Sequence, residues 1–241
     1  MKNPICVSTG CIYKMFPNSN DRNLLIEQIR VLNPDGIEIS FAFKDYLNNF
    51  EIKNENLSYL KSLKFNSIHS PWKDVVYSEN EDTKELLKKL HEIYKKINAR
   101  NIVFHKQEED DFSIFSNAKF TYSIENECWI KQPNTPEEIK QILDTDAKMK
   151  FTLDFAHAIS ISLENAREFI EKLKDRMIQV HMSYLNKEVT EHKFLHTYDS
   201  PEIRALLKQI PEHLPLILEC VASNETEFNL LQREIEYLRS V

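Results

Sequence analysis

Glycine is nearly absent from this chain of 241 residues, which contains only Gly10 and Gly36. Loops of the GxGxxG and Walker types need several closely spaced glycines, so that the backbone can wrap around a phosphate group. Two isolated glycines cannot form such a loop. The sequence therefore excludes the common dinucleotide-binding and P-loop nucleotide-binding sites.

The sequence also lacks the usual features of secreted and membrane-spanning proteins. Its four cysteines have neither metal-ligand spacing nor the pattern of a secreted disulfide framework, which favours reduced thiols. No apolar run approaches the roughly 18 residues of a membrane span. The N-terminal residues MKNPICVSTG contain no long apolar stretch and no signal-peptide cleavage site. We therefore expect a cytoplasmic protein without a membrane partner.

Positive charge is in deficit, because 38 acidic residues against 31 basic ones give a net charge of −7. This balance provides no electrostatic footprint for nucleic acid. The argument is weaker for a metalloenzyme, since bound cations add positive charge that the formal count omits. The content of hydrophobic and charged residues is that of a folded globular protein, and the length favours a single domain over residues 1–241.

Eight short segments rich in Ile, Val and Phe recur along the chain, and most are continuously apolar rather than alternating. Parallel strands that are buried on both faces have this pattern. The predicted strands are Ile5–Ser8, Gly36–Ser40, Phe65–His69, Asn101–His105, Phe120–Glu125, Lys150–Asp154, Met177–His181 and Pro215–Glu219.

Helical patterns separate these strands. Apolar residues recur at spacings of three and four between residues 86 and 97 and again between residues 228 and 238. Thr135-Pro136-Glu137-Glu138 combines an N-cap, a proline in the first turn and a capping-box glutamate, and Ser200-Pro201 is a similar helix start. The connection after the fourth strand is the weakest, because only residues 111–118 can supply a short helix there.

Eight strands that alternate with about eight helices predict an α/β fold, the (β/α)₈ or TIM barrel. The alternative is an open, doubly wound sheet. Sheets of the Rossmann type usually have a glycine-rich first turn, which this chain lacks.

Six of the eight predicted strands end in a histidine or an acidic residue that directly follows apolar residues. In (β/α)₈ barrels the active site lies at the carboxyl ends of the strands. Each residue taken singly is more simply explained as a hydrogen-bonded structural residue, but carboxylates and imidazoles that converge there need a neutralising charge. A divalent cation supplies it, and these donors suit zinc, which we expect, or manganese or iron. The six residues are His69, His105, Glu125, Asp154, His181 and Glu219.

Other side chains are secondary candidates. Asp154-x-x-His157 is the most specific local pattern, since both side chains can reach one mouth from a strand end and the following loop. Glu38 in the second strand either points into the mouth or pairs with a lysine. Trp72 and Trp129 follow the third and fifth strands, where they either stack on a sugar or base of the substrate or pack in the core.

In order and spacing, these segments resemble the xylose isomerase-like barrel superfamily, which includes endonuclease IV and many sugar isomerases and epimerases. The resemblance covers essentially the whole chain. The matching segments are Ser67-Ile68-His69-Ser70-Pro71, Val103-Phe104-His105, Ile124-Glu125-Asn126, Asp154-Phe155-Ala156-His157, Val180-His181 and Glu219.

The endonuclease IV branch implies three metal ions. By resemblance, one would be held by His69, His105 and Glu125, and a second by Glu125, Asp154, His181 and Glu219. The third would need His157, a second histidine, which His192 supplies, and an aspartate two residues before it. Thr190 stands at that position, which leaves Glu191 as a substitute.

The isomerase and epimerase branch implies a single metal ion, held by Glu125, Asp154, His181 and Glu219. The two glutamates would then act as catalytic residues that move a proton at the carbon beside a carbonyl group. His69 and His105 would have no obligatory role there, apart from binding substrate hydroxyls.

The surplus of histidines slightly favours a multinuclear hydrolase of phosphoesters over a sugar isomerase or epimerase. We expect a small sugar or phosphoester as substrate.

DNA is the substrate of the endonuclease branch. The net negative charge of this chain does not support binding to DNA, since the lysines near the mouth are scattered instead of forming a basic track. A barrel that binds a ligand without turning it over is the third hypothesis. The sequence makes no prediction of oligomeric state.

Overall fold

The computed structural model describes residues 2–18, 20–107, 109–128 and 135–241. Eight parallel strands form a closed barrel in which each strand pairs with the next and the last returns to the first. This confirms the predicted (β/α)₈ fold, and the open doubly wound sheet is wrong. The strands are β1 (Ile5–Ser8), β2 (Gly36–Ser40), β3 (Phe65–His69), β4 (Asn101–His105), β5 (Tyr122–Glu125), β6 (Lys150–Asp154), β7 (Met177–Met182) and β8 (Leu216–Leu218).

Helices connect the strands throughout the described residues. None of them combines the length and the apolar composition that crossing a membrane requires. The α-helices are α1 (Arg22–Ile29), α2 (Lys44–Asn48), α3 (Asn54–Ser62), α4 (Glu81–Lys96), α5 (Pro136–Thr145), α6 (Phe155–Ile161), α7 (Leu163–Leu173), α8 (Pro201–Leu207) and α9 (Glu225–Ser240). Short 3₁₀ segments are Thr9–Cys11, Tyr13–Met15, Arg30–Leu32, Phe112–Asn117 and Leu195–Tyr198.

The local signals in the sequence correspond closely to the observed elements. The Thr135 side chain accepts a hydrogen bond from the Glu138 N–H, and the Glu138 carboxylate accepts one from the Thr135 N–H, so the capping box forms as predicted. The weak connection after β4 contains a 3₁₀ segment instead of an α-helix. β8 is shorter than predicted, so Glu219 follows the strand instead of ending it.

The interior of the barrel is polar below its mouth. Gln179 on β7 accepts a hydrogen bond from the Asn101 side chain on β4 (3.1 Å) and donates one to Glu38 on β2 (2.8 Å). These strands are not neighbours, so the contacts must cross the inside of the barrel. Ser67 also donates to Glu38 at 2.8 Å. The network therefore holds a buried carboxylate beneath the residues at the strand ends.

Gly36 occupies the closest approach between β2 and β3. A Cβ atom at this position would lie 2.0 Å from the carbonyl oxygen of Phe65 and 2.7 Å from the sulfur of Cys6. The oxygen belongs to the backbone of a paired strand, so no side-chain rotation can relieve this contact. Only glycine fits here without separating the two strands.

We expect Gly36→Ala to lower the free energy of unfolding by about 3 kcal/mol, near the upper end for overpacking. Chemical denaturation measures the change. Gly10→Ala is the matched control, because its Cβ would lie 3.3 Å from the Ser8 hydroxyl, which can rotate away, and otherwise at ordinary contact distance, 3.8 Å, from the Ser40 side chain. Equal stability of the two variants would contradict the close strand contact.

Candidate metal centre

The six residues predicted at the strand ends converge at the mouth of the barrel. Glu125 at the end of β5 lies at the centre, and its Oε2 atom is 3.2 Å from His69 Nε2 and 3.5 Å from His105 Nε2. Across the mouth, His181 Nδ1 lies 3.2 Å from Glu219 Oε2. Asp154 ends β6 and its side chain is fully buried. The closed barrel therefore brings together side chains from six separate strand ends.

Three distinct ligand groups overlap at this mouth, and a fourth set, His69, His181 and Glu219, combines residues of the first two; in each one the donor atoms all lie within 4.8 Å of one another. Neighbouring groups share a carboxylate, which is typical of sites that hold more than one cation. The first group is His69, His105 and Glu125, the second is Glu125, Asp154, His181 and Glu219, and the third is Asp154, His157 and His192.

Hydrogen bonds fix the ring orientation of the histidines in the first group. His105 Nδ1 donates to the Glu127 carboxylate at 2.8 Å, and His69 Nδ1 donates to the Ser70 carbonyl oxygen at 3.1 Å. Both partners can only accept hydrogen bonds, so each Nδ1 carries the proton. In a neutral ring the lone pair therefore lies on Nε2, the atom that faces Glu125. Metal-binding histidines usually have an outer partner of this kind. Burial would lower the pKa of His69, but the Glu125 carboxylate, 3.2 Å from Nε2, outweighs it and raises that pKa, so a cation at this position would take the place of a proton.

The histidines of the third group are held in the same way. His157 Nδ1 donates to the Asn126 carbonyl oxygen at 2.7 Å, and His192 Nδ1 lies 2.7 Å from the Ser183 hydroxyl. Burial, together with the neighbouring His192, lowers the pKa of His157 to about 4. Burial also lowers the pKa of His192. Both rings are therefore neutral near pH 7, the state in which imidazole binds a metal ion.

His181 contacts the polar interior of the barrel through one ring nitrogen and the mouth through the other. Its Nε2 atom lies 2.9 Å from the Gln179 amide and 3.4 Å from Glu38 Oε2. Its Nδ1 atom faces Glu125 and Glu219 and has no hydrogen-bond partner in the described part of the chain. The buried network thus orients His181 towards the second group.

The two carboxylate oxygens of Asp154 have different surroundings. Oδ1 accepts a hydrogen bond from the His157 N–H at 2.8 Å and caps the start of α6. Oδ2 is buried and has no hydrogen-bond partner among the described residues. Burial, reinforced by the carboxylates of Glu125 and Glu219, raises the pKa of Asp154 well above its ordinary value. A further positive charge beside Oδ2 would stabilise the ionised form.

These features fit a divalent cation. An unpaired buried polar atom costs about 1–3 kcal/mol, and Asp154 Oδ2 in the second group is such an atom. His181 Nδ1 in the same group faces only carboxylates, at 3.2 Å from Glu219 and 3.5 Å from Glu125. A cation bound there would satisfy both. Imidazole nitrogen and carboxylate oxygen are the donors that zinc takes in catalytic sites, and manganese also accepts them.

The third group differs from the expected ligand set. Glu191, the predicted substitute for the aspartate missing at Thr190, forms ion pairs with Lys14 and with Lys193 and does not join the group. The two lysines neutralise the Glu191 carboxylate, and its role as a metal ligand stays a prediction. Asp154 supplies the carboxylate instead.

The three predicted substrate contacts have different positions. Trp72 is half-buried, and its ring lies 4.6 Å from the ring of His69 and 5.7 Å from that of His105, so it covers the first group. Glu38 is fully buried inside the barrel with Ser67, Gln179 and His181 as partners, and the predicted pairing with a lysine is wrong. A substrate contact of Glu38 stays a prediction. Trp129 lies outside the described residues.

Sequence analysis missed two of the residues that contact the ligands, although a signal for both was present. Glu127 lies two residues after Glu125, and Gln179 lies two residues before His181 on the same strand. Strand side chains at a spacing of two point to the same face, so a polar residue at this spacing is a natural neighbour of a ligand.

A cavity of about 320 Å³ opens beside the centre. His192 and Glu219 form one side of it, and Trp72 lies at its edge. The ligand groups can therefore be reached from outside through this cavity. Its other lining residues come from the segments after β1, β3 and β8, from the end of β2 through α2, and from the start of α1.

Several solved structures share this architecture over nearly the whole length of both chains. A D-tagatose 3-epimerase-like protein has a TM-score of 0.63 at 19% identity, covering 100% of this chain and 99% of the other. The D-allulose 3-epimerase of a Methylomonas species has a TM-score of 0.67 at 15% identity, with 99% and 98% covered. Endonuclease IV from Thermus thermophilus has a TM-score of 0.64 at 12% identity, with 97% and 99% covered.

A xylose isomerase domain protein from Planctomyces limnophilus also matches, with a TM-score of 0.62 at 10% identity, covering 99% of this chain and 97% of the other, and these similarities confirm the predicted barrel fold. No protein-family model and no curated protein matches the sequence. At identities of 10–19% the likeness concerns the fold, and both epimerases and an endonuclease IV are among the similar structures. The chain thus has the fold of the xylose isomerase-like TIM barrels, with candidate metal sites at its mouth.

We expect Glu127→Ala to weaken zinc binding about 100-fold and Glu127→Gln about 10-fold, since loss of an outer partner of a ligating histidine has effects of this size. Glutamine keeps an oxygen that accepts from His105 but loses the charge. Zinc titration against a competing chelator measures both. Glu164→Gln, on the exposed surface of α7, is the matched control. Unchanged affinity in both Glu127 variants would show that His105 does not bind the metal through Nε2.

Proposed function

We propose that this protein is a metal-dependent hydrolase of phosphoesters that binds more than one cation at its barrel mouth, as implied by the resemblance to endonuclease IV. The observation that carries the proposal is the assembly of all three ligand groups, with every histidine oriented by a hydrogen bond. A single-metal enzyme needs only the second group. Three buried histidines, His69, His105 and His157, and the half-buried His192 would then not be needed as metal ligands.

The geometry of Glu125 supports adjacent cations. Its Oε2 atom faces His69 and His105 of the first group, while its Oε1 atom lies 3.5 Å from His181 Nδ1 in the second. One carboxylate thus offers a separate oxygen to each group. Carboxylates that bridge in this way hold two metal ions about 3.5–4 Å apart, the spacing found in phosphoester hydrolases.

Bound divalent cations would supply polarisation of the phosphoryl oxygens and would lower the pKa of water to about 7. The chain's own residues hold and orient these cations. His157 stays neutral near pH 7, since its pKa is about 4, and so remains a ligand rather than an acid. His192 and Glu219 line the cavity, so an entering substrate meets the third and second groups first.

A sugar isomerase or epimerase with one cation is the second candidate. The observation that favours it is the position of Glu125 and Glu219, which both lie within 3.5 Å of His181 Nδ1 in the four-residue second group. Two carboxylates so placed would remove a proton from one face of a substrate carbon and return it from the other. The structural similarity to D-allulose 3-epimerase is compatible with this reading.

Metal content separates the two candidates. We expect two or three zinc or manganese ions per chain by elemental analysis of the purified protein, because both oxygens of Glu125 serve a ligand group. We expect His69→Ala to remove one of them and to reduce cleavage of an abasic-site duplex and of bis(p-nitrophenyl) phosphate about 100-fold or more. His213→Ala, at an exposed position, is the control and should change neither.

A single ion per chain that survives His69→Ala, together with epimerisation of a ketose, would replace the hydrolase by the second candidate. Absence of bound metal under saturating conditions would overturn both. Bound metal without turnover of either substrate class would favour a barrel that only binds a ligand.

A further inference from the structure

The cavity beside the metal centre has a second wall that the metal-binding residues do not form. Arg22 at the start of α1 and Lys73 in the loop after β3 line this wall, together with Phe43 and Tyr46. His192 and Glu219 lie on the metal side of the same cavity. The cavity thus combines cationic and aromatic side chains with access to the ligand groups.

Arg22 is held in a fixed position in this wall. Only 5% of the residue is exposed, its Nε–H donates to the Ser40 carbonyl oxygen at 2.5 Å, and its guanidinium lies 4.8 Å from the centre of the Tyr46 ring. Burial lowers the pKa of Arg22 to about 10, so the group is still charged near pH 7. A buried, oriented guanidinium beside a cavity is the usual means of binding a planar or tetrahedral oxyanion.

Lys73 adds a second positive charge to the wall. Its Nζ atom lies 5.0 Å from the centre of the Phe43 ring, and Lys73 forms no ion pair with a carboxylate among the residues that the structure describes. The whole chain has a net charge of −7, whereas this wall of the cavity carries two positively charged side chains, Arg22 and Lys73. This local concentration of positive charge favours an anionic ligand.

The volume of the cavity and the aromatic side chains that line it indicate what kind of group is attached to the anion. About 320 Å³ lies at the lower end of the range for small-molecule sites, which is about 300–1,000 Å³. The rings of Phe43, Tyr46 and Trp72 border this space and present faces on which a sugar or a flat ring can pack. The basic groups lie inside one cavity instead of forming a surface track, which duplex DNA would require.

We propose that this cavity, bounded by Arg22, Lys73, Phe43 and Tyr46, binds a small phosphate ester, with the phosphate held by the two cationic side chains and a ring-shaped body packed on the aromatic wall. The inference rests on the proposed phosphoester hydrolase, for which it names the substrate class as a small molecule.

Calorimetric titration of the zinc-loaded protein with phenylphosphonate tests the inference, because the carbon–phosphorus bond of this probe is not hydrolysed. We expect phenylphosphonate to bind about tenfold more tightly than methylphosphonate, since only the former has a ring. Lys73→Gln and Arg22→Gln should each weaken both phosphonates about tenfold or more, the loss expected for a hydrogen bond to a charged group. Phe43→Leu should weaken phenylphosphonate alone.

Matched controls are Arg167→Gln on α7 and Lys208→Gln at the end of α8, both at exposed positions. We expect these two variants to bind both phosphonates with the affinity of the unchanged protein. Thermal unfolding and metal content are measured for every variant. Should Arg22→Gln fail to fold, the exposed Lys73→Gln and the Phe43→Leu variants still decide the outcome.

Unchanged phosphonate affinity in Lys73→Gln and Phe43→Leu would overturn the inference, even if the metal content and duplex cleavage support the hydrolase. An abasic duplex that binds more tightly than phenylphosphonate and loses affinity in the same variants would also overturn it. A single metal ion with phosphonate binding that depends on Lys73 would overturn the hydrolase and keep the cavity assignment.

Discussion

Glu125, Asp154 and Glu219 meet at the barrel mouth, where little water can screen them from one another. Their mutual repulsion, added to burial, raises the pKa of Asp154 well above its ordinary value. Burial would also raise the pKa of Glu125, but His105 and His181 outweigh it and keep that pKa well below its usual range. A divalent cation removes this conflict because it interacts favourably with every carboxylate and every imidazole lone pair. The candidate function therefore follows from an electrostatic problem that the fold itself creates.

Residues below the barrel mouth and residues around it fix the orientation of the histidine rings. Below the mouth, Gln179 and Glu38 lie against one nitrogen of His181, which leaves the other directed at the carboxylates. Outside it, Glu127 accepts from His105. Gln179 and Glu38 lie on strands of the barrel and Glu127 follows one, so the regular geometry of the strands fixes the positions of these partners and, through them, the histidine rings. The same polar interior would be unfavourable in a barrel without a site above it.

The strands and the convergence of six polar side chains at the barrel mouth could be predicted from the sequence, because those signals are local. A run of apolar residues followed by a histidine or an acidic residue marks the end of a buried strand, whatever the rest of the chain does. Contacts across the barrel have no such signal: Gln179 and Glu38 are 141 residues apart. Arg22 was missed for the same reason, since its place in the cavity depends on how α1 packs beside Ser40. The ion pair of Glu191 with Lys14, 177 residues away in the chain, has no local signal either.

The three ligand groups share carboxylates, so whether one group can bind a metal ion depends on whether its neighbour already holds one. Glu125 has one oxygen for the first group and another for the second. Asp154 is shared by the second and third groups, and one of its oxygens already caps α6, which leaves Oδ2 as the only uncommitted oxygen. Two cations that compete for one oxygen repel each other more than two that use separate oxygens. The chain has Thr190 where the resemblance implies an extra aspartate, so nothing at that position relieves the competition. We therefore expect the first and second groups to bind metal ions more strongly than the third.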